Sequence, residues 1–218
     1  MLISTEDLQN ILKDNGITIN EVIHIGGHHG QEAEVYHTMD IDRVLFLEPM
    51  KKSFNICKEK VESLGYECEN WGVGEKKGKM NMYTETANEG QSSSMLKPNK
   101  HLEMYPHIEF NGREEVDIVT LDDVMEDLDI NPDMIVIDVQ GYEKQALSGG
   151  PNTLKGVKVI YSEVNGVEMY SGGASVSELD EFLSTYGFKR ELTSWVSTAA
   201  GSKYWGDAIY IKGENNQE

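Results

Sequence analysis

Short apolar runs alternate with stretches of helical spacing along most of the chain. Glu21-Val22-Ile23-His24-Ile25-Gly26 is a compact β-rich run, residues 31–39 have helical spacing, and Arg43-Val44-Leu45-Phe46-Leu47-Glu48 is nearly unbroken apolar sequence that ends on an acid. Residues 50–64 predict a helix with Phe54, Cys57, Val61 and Leu64 on one face. Tyr66 to Trp71 then predicts a third strand. This β-α-β-α-β order argues for parallel strands joined by right-handed crossover helices. Strands covered on both faces should be continuous apolar runs, and those at 43–47 and 134–137 are.

The rhythm breaks over residues 74–115. Lys76-Lys77-Gly78-Lys79 predicts a turn and Met80-Asn81-Met82-Tyr83-Thr84 a strand; residues 85–113 are polar, with Gly90, three consecutive serines and Pro98. So long a loop inside a compact domain is usually functional, and it is expected to be a lid or substrate-binding segment. The βα rhythm resumes with a strand at 116–121, a buried strand Asp133-Met134-Ile135-Val136-Ile137-Asp138 and a helix from Tyr142 to Ser148 that stops near Gly149-Gly150-Pro151. A strand Val157–Glu163, a helix Val176–Tyr186 and a closing strand pair at 188–196 and 207–211 follow. An N-terminal helix is expected within residues 1–19, capped by Ser4 or Thr5 with Leu8, Ile11 and Leu12 inward, and a frayed tail over 213–218. The pattern is that of one α/β domain over 1–218, a doubly wound, mostly parallel sheet without internal repeats.

Charge narrows the partners. The chain has 38 acidic and 19 basic residues, a formal net charge of −19. Such a surface disfavours nucleic acid and anionic lipid, which are bound through Lys and Arg. No apolar run approaches the roughly 20 residues of a membrane span, and the start lacks the pattern of a signal peptide, so a cytoplasmic protein is expected. Cys57 and Cys68 are then expected to be free thiols.

In an open α/β sheet, ligands bind beyond the carboxyl ends of the strands. Ile25-Gly26-Gly27-His28-His29-Gly30-Gln31 follows a strand there, and its glycines permit a tight turn and close ligand approach. It is neither a G-x-G-x-x-G fingerprint nor a P-loop. Glu48 lies 18 residues after Gly30, where an acid can accept both hydroxyls of a ribose. Asp138 is delivered by four apolar residues to a strand end, and Glu163 closes the next apolar run. A carboxylate or a nearby histidine, His28 or His29, could serve as a base. His24, His28 and His29 with Asp138 and Glu163 show no metal-binding spacing, so no metal is expected. No G-x-S-x-G elbow is present.

These segments, in order, resemble the FkbM family of methyltransferases. Residues 22–32 are similar to its first motif, Phe46-Leu47-Glu48-Pro49 to its F-E-P element, and Trp71-Gly72-Val73-Gly74 with Gly78 to its third-strand segment. Ser92-Ser93-Ser94-Met95 resembles its serine cluster and Val119-Thr120-Leu121-Asp122 its T-L-D element. Ile137-Asp138-Val139-Gln140-Gly141-Tyr142-Glu143, followed by Leu147-Ser148-Gly149-Gly150, resembles its I-D-V-E-G-x-E motif, and Glu163 its later acid. The resemblance runs from about 20 to 165, and more weakly through Gly187-Phe188 and the last strand. It implies a Rossmann-like sheet of seven strands with an antiparallel final pair. It also implies S-adenosylmethionine as methyl donor, S-adenosylhomocysteine as product, and a hydroxyl acceptor on a sugar, glycan or small metabolite. Carried over by position, Ile25, Gly26, Gly27 and Gly30 would hold the methionine part, Glu48 and Pro49 the ribose, Gly72 and Val73 the adenine, and Asp138 would lie by the reacting methyl. Asp138, His28 and Glu163 are the candidate catalytic residues. His24 and His28 stand where many members have Asp and Asn, and Gln140 where Glu is common. A dinucleotide oxidoreductase and a non-catalytic cofactor-binding module are the alternative readings.

Overall fold

The computed structural model describes residues 1–197 and 201–213. The chain opens with helix α1 (Thr5–Asp14), whose N-cap Ser4 accepts from the Asp7 backbone N–H and which buries Leu8 and Leu12. The helix expected within 1–19 stops at Asp14, and Gly16 (φ 64°) then takes the chain into a turn. The tail expected to fray lies largely outside the described residues.

Strand β1 (Glu21–Ile25), helix α2 (Ala33–Thr38), strand β2 (Arg43–Leu47), helix α3 (Lys51–Glu62) and strand β3 (Glu67–Glu69) follow the predicted rhythm. Next come β4 (Gly72–Val73), β5 (Gly78–Thr84), α4 (Lys100–Met104), β6 (Gly112–Val119) and α5 (Leu121–Leu128). The chain continues through β7 (Met134–Ile137), α6 (Glu143–Ser148), α7 (Thr153–Gly156), β8 (Val159–Asn165), α8 (Val176–Ser184), β9 (Phe188–Ser197) and β10 (Lys203–Lys212).

Seven strands form the main sheet in the order β3-β2-β1-β7-β8-β10-β9. β10 runs antiparallel to both neighbours, and the pairs β3-β2-β1-β7-β8 are parallel. Both faces are covered. Val22, Val44, Phe46, Met134 and Val136 pack with α1, α2 and α3, while Ile23, Leu45, Leu47, Ile135 and Ile137 pack with α5, α6, α7 and α8. Alternate residues of one strand therefore enter opposite cores, which is why these strands read as unbroken apolar runs.

Two expectations need correction. The strand expected at 116–121 ends at Val119 and lies outside the main sheet. It is β6, in a side sheet β4-β6-β5, antiparallel to β5 and briefly parallel to β4. Its last expected residue, Leu121, begins α5 behind a capping box made by Thr120 and Asp123. Residues 85–113 are also not a plain polar loop. Ser92, Ser93, Ser94, Met95, His101 and Ile108 are buried, and Tyr83 and Ser94 exchange backbone hydrogen bonds of 2.7 and 3.0 Å. The serines are buried because the segment crosses the carboxyl end of the sheet and tucks against it.

Candidate active site

The sheet order places the switch point between β1 and β7, where the chain leaves β1 toward β2 and β3 and later returns to the other side. A cavity of about 420 Å³ opens there, lined by the ends of β1, β2 and β7, by β8 and β10, and by the segment 88–105.

Gly26 turns the chain out of β1 at φ 86°. A Cβ on it would stand 1.9 Å from the Asp138 carbonyl oxygen, so only glycine lets these two strand ends approach. The Glu48 side chain comes up from the end of β2 and is buried. One carboxylate oxygen accepts from the His28 backbone N–H and the other from that of Met50, both at 2.8 Å. Burial outweighs these bonds and raises its pKa to about 7. Pro49, Trp71, Gly72 and Val73 continue the wall, and the Asn70 amide ties the strand ends by donating to the carbonyls of Glu48 and Pro49. Ile25 and Gly26 reach the cavity surface. Gly27 and Gly30 do not line the cavity. Their missing side chains make room for Phe46 and Cys57, and for Val61 and Cys57, so they serve the packing of α3.

His28 sits in the left-handed region at φ 44°. The Gln31 side-chain oxygen accepts from the His29 N–H, which leaves the Gln31 amide to donate to His28 Nδ1 at 2.9 Å. His28 Nε2 then carries its hydrogen toward the Glu89 carbonyl, 3.0 Å away. Both ring nitrogens are thus engaged, and the ring latches the covering segment to the glycine turn. His24 lies in the core, bonded through Nδ1 to the Tyr36 hydroxyl (2.8 Å) and stacked on Phe46; burial lowers its pKa.

At the other end of the cavity, Asp138, Glu143 and Glu163 bring carboxylate oxygens within 4.8 Å of one another. Asp138 faces the open cavity yet is ringed closely by protein, and this crowding raises its pKa. Burial, reinforced by Asp138, pushes Glu163 well above the carboxylate range. Burial also raises Glu143, to about 7, though it accepts the N–H groups of Val139 and Gly141. The Gln140 amide donates to Asp138 (2.7 Å) and to Glu163 (2.6 Å), occupying the space between them. Asp207 of β10 lies directly opposite Glu163 in the sheet and accepts from the Tyr161 hydroxyl and the Leu2 N–H. The three histidines near the N-terminus stay apart from these acids. Among the described residues no Lys or Arg lines the cavity.

The remaining wall is aromatic. His101, Tyr105, Met169, Tyr170 and Trp205 line it, with the Trp205 indole N–H donating to the Tyr105 hydroxyl at 2.9 Å. The Tyr170 hydroxyl lies 2.8 Å from the Ser92 carbonyl and 2.9 Å from Gln140 Oε1. His101 Nδ1 is buried without a partner. Sequence reasoning missed this wall because its residues come from three separated segments. Asp207 alone carried a usable signal: an acid opening the apolar run Ala208-Ile209-Tyr210-Ile211.

The arrangement offers a wall carrying the buried Glu48 carboxyl, an acidic end without Lys or Arg, and an aromatic flank. The methyltransferase FkbM domain family matches residues 24–190. The chain is 31% identical over 96 residues to the 2-O-methyltransferase NoeI of Sinorhizobium fredii, a match covering 44% of this chain and 40% of that relative. Among solved structures, the magnesium protoporphyrin IX methyltransferase of Synechocystis PCC 6803 with bound S-adenosylmethionine aligns at a TM-score of 0.52 and 9% identity, covering 96% of this chain and 78% of that one. The precorrin-6y C5,15-methyltransferase of Geobacter metallireducens aligns at 0.51 and 13%, covering 97% and 91%. At these identities the two structures speak for the fold alone. The family match spans most of the chain and includes the Gly26 turn, Glu48, Asp138 and Glu163, so the chain belongs to the FkbM methyltransferase family.

Proposed function

We propose that the protein methylates a hydroxyl group on a sugar, glycan or small metabolite, and that Asp138 accepts the hydroxyl proton. The observation that carries this reading is the position of Asp138: it leaves β7 beside the Gly26 turn and faces the same cavity as the aromatic wall. The cofactor's contribution is an electrophilic methyl on a cationic sulfur. Glu48 can accept the ribose hydroxyls through its remaining lone pairs, while Trp71, Gly72 and Val73 shape the wall beside it. The acidic end suits a cationic sulfur, and the absence of Lys and Arg argues against phosphorylated acceptors. Tyr105, Tyr170 and Trp205 offer faces on which a sugar ring can rest.

Asp138 is the preferred base among the three candidates. His28 has both nitrogens committed, and Glu163 is buried behind the Gln140 amide, whereas Asp138 faces the open cavity. Chemistry of this kind depends mainly on alignment and on a preset electrostatic environment. The test starts with calorimetric titration of S-adenosylmethionine and S-adenosylhomocysteine into wild type and Glu48→Ala. Methyl transfer to a panel of neutral sugars by wild type and Asp138→Asn follows. Glu48→Ala should weaken both ligands, and Asp138→Asn should lower turnover by about 10²-fold or more while cofactor affinity persists. Turnover unchanged in Asp138→Asn would remove it as the base.

A further inference from the structure

Gln140 connects the covering segment to two closely spaced carboxyl groups. It occupies the left-handed region at φ 55°, directly after the strand end that carries Asp138. Its backbone carbonyl accepts from the Ser94 hydroxyl at 2.7 Å, and its side-chain oxygen faces the Tyr170 hydroxyl. The two carboxyl groups fix the amide orientation by accepting its NH₂, which leaves the oxygen toward the Tyr170 hydroxyl, whose one hydrogen is shared with the Ser92 carbonyl. One NH₂ group therefore bridges Asp138 and Glu163, whose carboxylate oxygens lie within 4.8 Å of each other.

The groups around this pair are all acidic or neutral. Glu143 faces it from α6, Asp207 and Tyr161 from β10 and β8, Tyr170 from the loop after β8, and Glu32 from the start of α2. The chain's N-terminal ammonium pairs with Glu32 at 3.6 Å, at the edge of the cavity. Like charges this close, without a facing Lys or Arg, retain a proton.

We propose that Gln140 is a positioning residue that clamps Asp138 and Glu163 into a pair sharing one proton, and that the pair releases this proton when a sulfonium cation enters the cavity. The inference rests on the methyl-donor reading of the cavity. It also closes the proton balance of the reaction. As the methyl–sulfur bond breaks with its electron pair going to sulfur, the acceptor oxygen forms the new bond. The hydroxyl proton then passes to Asp138, which restores the shared proton beside a neutral thioether. Raised carboxyl pKa values and the missing counter-cation fit this cycle.

The substrate and product cofactors have the same amino, carboxylate and ribose groups and differ in charge at sulfur, so comparing them isolates the sulfonium. Each is titrated by calorimetry into the full chain at about pH 7, in phosphate and in Tris, whose protonation enthalpies differ. Wild type should release about one proton more with S-adenosylmethionine than with S-adenosylhomocysteine. Glu163→Gln should abolish that difference. Gln140→Asn, which tolerates the left-handed backbone but is one methylene shorter, and Tyr170→Phe should each cut it by half or more. A merely structural role for Gln140 would weaken both ligands alike and leave the proton difference intact. Equal proton release for the two ligands in wild type overturns the shared proton, and a wild-type difference in both Gln140→Asn and Tyr170→Phe overturns the clamp. Failure of both ligands to bind overturns the cofactor reading itself, a distinguishable result.

Discussion

Glu48 accepts two backbone N–H groups and is still held near neutrality, because burial costs its charge more than those bonds return. A carboxyl whose folded-state pKa is raised contributes stability that is complete below its unfolded value and is lost as pH rises through the folded value. For Glu48 that window runs from 4.5 to about 7, which corresponds to about 3 kcal/mol. Unfolding of the cofactor-free protein should therefore need less urea at pH 8 than at pH 5. Glu48→Gln should reduce the pH dependence, leaving the part due to Glu143 and its acidic neighbours, and weaken S-adenosylmethionine by about tenfold or more, roughly 1.4 kcal/mol; an unchanged pH profile would rule Glu48 out as a source. Gly26 is constrained more tightly. A Cβ 1.9 Å from a backbone oxygen cannot be relieved by a side-chain shift, and the left-handed φ adds strain, so Gly26→Ala should cost more than about 3 kcal/mol. Full cofactor binding and wild-type stability in that variant would contradict the geometry.

At the scale of elements, the covering segment is held by bonds the sequence pattern does not show. Tyr83 and Ser94 bridge it to β5, and Asn99 and Ser171 exchange backbone bonds with Met169 and Lys97. The amides of Tyr83 and Ser94 should therefore exchange with solvent about 100-fold or more slowly than free peptide, in the cofactor-free protein as well. Exchange at free-peptide rates would mean that the segment is not seated. Helix α5 offers a control away from the cavity: Thr120→Ala removes one arm of its capping box and should cost about 1 kcal/mol in urea unfolding, with cofactor affinity unchanged. The helices predicted from spacing were found by their period; α1 and α8 also have side-chain caps, Ser4 and Ser175, while α2, α3 and α6 have none. β6 was legible as a strand, but not as a member of the side sheet, since an eight-residue apolar-polar run looks the same in either sheet.

At the scale of the molecule, a net charge of −19 repels itself across the surface. Raising NaCl from about 0.02 to 0.5 M should raise the thermal midpoint by screening this repulsion, and a falling midpoint would contradict it. Cofactor binding should raise the midpoint further, with a concentration dependence that follows its affinity. No helix among the described residues is long and apolar enough to cross a membrane.

The sequence by itself determined the main strands and their burial on both faces, the glycine turn, and the acids at the ends of β2 and β7. Each of these is encoded by neighbours in the chain: an apolar run, a glycine where the backbone must turn, a carboxylate one step past the core. Only the tertiary structure decided that His28 is a latch, that Gly27 and Gly30 make room for α3, and that Asp207 joins Glu163. It also turned Gln140 from a missing carboxylate into a bridge between two others. Those facts depend on residues up to 61 positions apart being brought together by the sheet. Such meetings follow from strand order and register, which local spacing does not encode.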